Sequence, residues 1–300
     1  MLNSTLNHLF PDTVHQLTEQ SSINLIANMQ QKAIATPLSS TPIPTTFICQ
    51  GDGNIPILLI HGFDSSILEF RRILPLLALK HQTFAVDLLG FGFTERLPKL
   101  NINPENIKTH LYAFWQSLIN QPIILIGVSM GGAVAIDFTL TYPEIVHKLI
   151  LIDSAGLTNK AKFNKHLIKP LGYVATNFLR NEFVRSSISK SAYFDQAFLT
   201  LDAKICVSLH LDQRNWHEAL ISFTESGGYG NFALELANIQ QQTLILWGEN
   251  DKILGIKDPH KFNEFIPNSQ LIWIKECGHV PHLEKAKITT EYILQFIENS

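Results

Sequence analysis

The chain has 300 residues, of which 45% are hydrophobic and 16% charged, with a net charge of −3. That length holds one or two domains, the apolar share excludes disorder for most of the chain, and the near-neutral balance excludes a global nucleic-acid footprint. The three cysteines, Cys49, Cys206 and Cys277, are odd in number, widely spaced and free of any CxxC, which argues against a disulfide framework or a thiolate zinc site and for a reducing, cytoplasmic setting.

Residues 1–44 read as an N-terminal extension. No Lys or Arg precedes Lys32 and no long apolar run occurs, so neither a secretory signal nor a membrane span is expected. Part of this extension (13–35) has helical character, and TPLSSTPIPTT reads as a connector rich in Pro, Ser and Thr. Short apolar runs then recur: IPILLI (55–60), TFAVDL (83–88), PIILIG (122–127), KLILID (148–153), TLILWG (243–248) and LIWIK (271–275). They are continuous rather than alternating, as in parallel strands buried on both faces. Helix-like segments lie between them at 68–80, 104–120, 132–141, 258–265 and 289–299. This alternation predicts an α/β sandwich built on a mostly parallel sheet.

One interval breaks the rhythm. Residues 156–236 contain no convincing buried strand and read as helical. They are expected to form a cap over the C-terminal edge of the sheet, where open α/β folds bind ligands. The predicted organisation is therefore an α/β core from 45–155 and 237–300 with a helical insertion at 156–236. The first part of the insertion is basic: Lys160, Lys162, Lys165, Lys169, Arg180, Arg185 and Lys190 face only one acid, Glu182. Such a run makes either solvated helix faces or a surface drawn to anionic lipid or an acidic substrate.

The strongest chemical signal is Gly127-Val128-Ser129-Met130-Gly131-Gly132, which follows a predicted strand and opens a predicted helix. That is the context of a nucleophile elbow: glycines permit the tight turn, and Ser129 sits near a helix N-terminus. A serine hydroxyl needs a base, and the base needs an orienting acid. His279, just after the last strand, is the expected base, with His282 as a rival. Asp251, past the penultimate strand, is the expected acid, with Asp153 as a rival. Asp87 precedes the nucleophile and reads as a structural acid for the Gly90–Gly92 loop. The order Ser129, Asp251, His279 is that of the α/β hydrolases. Backbone N–H groups of Met130 and Phe63 are the expected oxyanion donors. His61 and Gly62 are expected to shape the loop, since His61 has no second ligand at metal-site spacing.

Taken together, HGF, VDLLGFG, GVSMGG, LWGENDKI and CGHVPHLE resemble the α/β-hydrolase superfamily from about residue 45 onward. SMGGAVAIDFTLTYPEIVHKLILIDSAGL is similar to the branch of monoacylglycerol-lipase-like esterases and meta-cleavage-product hydrolases. The resemblance implies an eight-stranded, mostly parallel sheet, a cap after the sixth strand (here KLILID) and no metal or organic cofactor. Serine at 129 argues against haloalkane dehalogenases and epoxide hydrolases, which carry Asp there. Val280 stands where carbon–carbon hydrolases often carry an aromatic. The expected activity is hydrolysis of a small or lipid-like apolar ester through an acyl-enzyme, with Trp216, Phe223 and Tyr229 lining the substrate pocket. The alternatives are carbon–carbon bond hydrolysis and a ligand receptor that retains the triad.

Overall fold

The computed structural model describes residues 6–53, 55–157 and 169–299. Eight strands form one sheet: β1 (Gln30–Ile34), β2 (Ile43–Gln50), β3 (Ile57–Ile60), β4 (Thr83–Val86), β5 (Ile123–Val128), β6 (Val146–Ile152), β7 (Gln242–Gly248) and β8 (Ser269–Ile274). Their spatial order is β1-β2-β4-β3-β5-β6-β7-β8. The β1–β2 and β2–β4 pairs are antiparallel. The remaining neighbours are parallel.

The six apolar runs became β3 to β8. Strand side chains alternate between faces, so each run supplies two cores. On one face Leu58, Ile60, Leu125, Leu149, Leu151 and Ile245 join α3 (Pro104–Leu118), α4 (Met130–Thr141) and α9 (Asp258–Phe265). On the other, Ile57, Leu59, Ile124, Ile126, Ile150 and Leu244 pack with α1 (Gln20–Ala27), α2 (Leu74–Leu77) and α11 (Ala286–Glu298). A short α10 (Pro281–Glu284) precedes α11.

Two N-terminal segments differ in secondary structure from the sequence reading. Residues 30–34, at the end of the segment read as helical, are strand, and residues 43–46, at the end of the segment read as a connector, begin β2, so β1 and the start of β2 extend the sheet. The connector reading failed because β2 buries polar side chains. Thr45 Oγ1 lies 2.8 Å from His110 Nε2, and Thr46 Oγ1 donates to the Phe93 carbonyl at 3.0 Å. Hydrogen bonds of this kind let β-branched threonines occupy a core strand. Nor is the segment before β1 detached. Leu25 and Ile26 of α1 are buried, and Glu19 pairs with Arg72.

Between β6 and β7 lie α5 (Lys169–Arg180), α6 (Glu182–Ala192), α7 (Leu201–Cys206) and α8 (Trp216–Glu225). The Phe232 N–H donates to the Gly156 carbonyl at 2.8 Å, which closes the base of the insertion. Lys160, Lys162 and Lys165 fall outside the described residues, as does the Lys169 side chain.

Candidate active site

The parallel strands deliver their C-terminal ends to one edge of the sheet. The loops after β3, β5, β6, β7 and β8 carry Phe63, Ser129, Asp153, Asp251 and His279 respectively. Convergence at this edge is where α/β sheets build sites.

Ser129 caps α4 with φ 53° and ψ −121°, a strained backbone for a residue with a side chain. The turn is pinned on both sides. The Ser129 N–H donates to the Ile152 carbonyl at 3.0 Å, and its own carbonyl accepts from the Gly132 and Ala155 N–H groups, each at 2.9 Å. Gly131 explains how α4 can start so close to β3: a Cβ there would lie 2.1 Å from the Ile60 carbonyl oxygen. The same approach brings Gly62 against Ser129, because a Cβ on Gly62 would lie 3.4 Å from the Ser129 Cβ.

His279 Nδ1 stands 2.9 Å from Asp251 Oδ2. Asp251 Oδ1 accepts the Ile253 and Leu254 N–H groups at 2.7 and 3.1 Å. Burial pushes the Asp251 carboxyl up, but the His279 bond and those amides outweigh it and lower its pKa. Asp153, the rival acid, is fully buried at the end of β6 with φ 40°, and its Oδ1 accepts the Gly248 N–H at 3.1 Å. Burial first, then the nearby Asp251 charge, raise its pKa well above the carboxylate range. The same surroundings push two neighbouring carboxyls in opposite directions, Asp251 down beside the imidazole and Asp153 up behind it. His282, the rival base, is buried with neither ring nitrogen in a hydrogen bond among the described residues, its Nε2 standing 3.8 Å from Glu69 Oε1. Burial lowers its pKa to about 3.

One oxygen or nitrogen each of Asp153, Asp251 and His279 lies within 4.8 Å of the others, spacing that a metal ion could bridge. The Asp251 oxygens are committed to His279 and two amides, so the trio fits an orienting acid beside a base better than a ligand set.

On the oxyanion side, the Phe63 N–H donates to no other described residue, and Met130 is the first helical residue, whose N–H has no intrahelical partner. His61 shapes this loop. Its Nδ1–H donates to the Gly62 carbonyl at 2.8 Å while Nε2 accepts the Leu88 N–H at 3.0 Å, and burial lowers its pKa to about 4. Asp87 accepts the Ile67 N–H at 2.7 Å and the Phe93 N–H at 2.8 Å. Gly92, at φ 52°, is required beside it, since a Cβ there would sit 2.2 Å from the Asp87 carboxyl carbon. Asp87→Ala strands two buried amides and should destabilise the protein by about 3 kcal/mol in urea unfolding. An unchanged midpoint would refute this structural role.

The expected pocket aromatics divide. Phe223 and Phe63 have ring centroids 5.9 Å apart, and Tyr229 lies 6.2 Å from Phe223. Trp216 is 2% exposed, and its indole N–H donates to Asp64 Oδ1 at 2.9 Å. The basic insertion is also partly spent internally: Arg180 pairs with Asp212 and Arg185 with Asp64. Asp64 and its partners were not foreseen. The visible signal was an acid directly after HGF with lone cations in the insertion.

Residues 55–286 match the sequence profile described as the alpha/beta hydrolase fold. The alpha/beta hydrolase domain-containing protein VTE7 of Arabidopsis thaliana is 35% identical over 245 residues, covering 80% of this chain and 73% of that protein. Lipase 1 of Psychrobacter immobilis is 29% identical over 259 residues, covering 80% and 77%. A solved meta-cleavage product hydrolase from Pseudomonas fluorescens IP01 superposes with TM-score 0.74 at 20% identity, covering 89% of this chain and 97% of that one.

Proposed function

Because the chain belongs to the alpha/beta hydrolase family, we propose that it is a serine hydrolase cleaving a carboxylic ester with an apolar acyl group. Ser129 attacks the acyl carbon while His279 takes its proton. Asp251 holds the imidazole tautomer and stabilises the imidazolium. The Phe63 and Met130 N–H groups receive the oxyanion. His279 then protonates the leaving alcohol, and a water repeats the sequence to release the acid. The observation that carries this reading is the 2.9 Å His279–Asp251 bond. Ser129 on its strained elbow and the Phe63–Phe223 aromatic pair support it. Residues 156–236 act as the cap that selects the substrate.

The test is a substrate panel: p-nitrophenyl esters of graded chain length beside a vinylogous 1,5-diketone of the meta-cleavage type. Ester turnover rising from acetate to medium chains, with negligible diketone cleavage, is the expected result. Faster diketone cleavage would replace this reading with carbon–carbon hydrolysis. Stoichiometric binding without turnover of either would favour a receptor.

An apolar substrate also raises the question of delivery. Leu171, Val174 and Phe178 lie three and four apart on α5 and are 57%, 65% and 64% exposed, an apolar stripe suited to a lipid surface. Phe178→Asp is expected to abolish sedimentation with phosphatidylglycerol vesicles, and wild type that fails to sediment at low salt would remove the membrane role. No described helix is long and apolar enough to cross a membrane. The cysteines are unpaired, which supports a reducing, cytoplasmic setting.

A further inference from the structure

The acid that follows Phe63 is held by the inserted segment. Asp64 has φ 46°, a left-handed conformation disfavoured for a residue with a side chain. Its Oδ1 accepts from Trp216 Nε1 of α8 at 2.9 Å and from His210 Nε2 at 3.1 Å. Its Oδ2 accepts from Arg185 Nη1 of α6 at 2.8 Å. Arg185 Nη2 donates to the Val207 carbonyl at 2.7 Å, which ties the guanidinium to the next helix. The side chains of Asp64 and His210 are only 9% and 1% exposed. Burial lowers the pKa of His210, whose Nε2 donates to the carboxylate, and the His210 and Arg185 bonds hold the Asp64 carboxyl at about 2 against its burial.

The other side of Phe63 is fixed from the core: the Gly62 N–H donates to Glu69 Oε1 at 3.1 Å. Phe63 therefore hangs between a core anchor and an anchor made wholly of inserted residues. The same insertion grips the histidine loop. The His279 N–H donates to the carbonyl of Ala192, the last residue of α6, at 2.7 Å. Glu284 accepts the Gly278 N–H at 2.8 Å and the Phe194 N–H at 3.1 Å, bridging that loop to the end of α6.

We propose that Asp64 is a positioning residue through which Arg185, His210 and Trp216 fix the Phe63 N–H, so that the oxyanion hole is complete only while α6 and α8 are seated on the loop. A preformed donor is worth most when its direction is fixed before charge develops. The inserted helices are then part of the catalytic scaffold as well as its cover. The proposal rests on Phe63 as oxyanion donor, and the test below separates the two.

Asp64→Ala and Trp216→Phe are compared with wild type for kcat and KM on a p-nitrophenyl ester, for inhibition by a trifluoromethyl ketone with the same acyl chain, and for thermal unfolding. Asp64→Ala should lower kcat about 100-fold with KM within about threefold, and weaken the ketone in parallel, because its tetrahedral adduct needs the oxyanion donors. Trp216→Phe keeps the packed ring, loses one donor and should lower kcat about fivefold in the same pattern. It carries the test if Asp64→Ala does not fold. Folded variants with kcat and ketone inhibition within about twofold of wild type would overturn the proposal. Ser129→Ala runs alongside. If it is dead while Asp64→Ala is normal, the positioning role fails and the serine-hydrolase reading stands; if it is active, both fail.

Discussion

Ser129→Ala is expected to lower ester turnover by at least about 10⁴-fold while leaving the fold intact. The substitution removes the Oγ proposed to form the acyl-enzyme and keeps the Cβ, so the turn keeps its backbone bonds to Ile152, Gly132 and Ala155. It also keeps the strain, because alanine at φ 53° is disfavoured as serine is. Ser129→Gly should be equally inactive yet more stable by about 1 kcal/mol, since glycine tolerates that conformation and the strain exceeds its added chain entropy. Chain-length-matched kinetics and urea unfolding check both halves. Turnover by Ser129→Ala within about tenfold of wild type would remove the nucleophile assignment. A less stable Ser129→Gly would remove the account of the elbow.

Asp251→Asn is expected to lower kcat by about 10⁴-fold, whereas Asp153→Asn should change it by less than about tenfold. The contrast follows from the hydrogen bonds. Asp251 Oδ1 already accepts two amides, so an asparagine places its carbonyl there and turns its NH₂ toward His279 Nδ1. The imidazole must then accept at Nδ1 and carry its proton on Nε2, which leaves no base for the serine. Burial raises the Asp153 pKa, and an amide imitates a protonated carboxyl while its oxygen keeps the Gly248 N–H. Steady-state kinetics on the two single variants decide the matter. A severe Asp153→Asn beside a mild Asp251→Asn would transfer the orienting role to Asp153.

Much of this arrangement was legible in the sequence, for identifiable reasons. Strands β3 to β8 announced themselves because both of their faces are covered, leaving unbroken apolar runs. Ser129, Asp251 and His279 could be picked from their places just past such runs, since the sheet edge where strands end is fixed by topology. The first two strands were hidden because β1 is a mostly exposed edge strand and β2 buries Thr45 and Thr46 through hydrogen bonds to partners far along the chain. Pattern reading treats such residues as loop. The clamp on Asp64 was hidden for the same cause: Arg185, His210 and Trp216 lie 121, 146 and 152 residues away. Arg185 accordingly read as surface charge and Trp216 as pocket lining, when each is committed to one carboxylate. The raised pKa of Asp153 comes from its burial and from the nearby Asp251, which the order of the residues leaves open.

We propose Ser129 as the activated nucleophile. The most direct measurement is labelling of folded wild-type protein with a fluorophosphonate, followed by peptide mapping of the adduct, with Ser129→Ala beside it. We expect a single adduct on Ser129 and none on the variant. A wild type that hydrolyses esters yet carries the adduct on another residue, or no adduct at all, would contradict it.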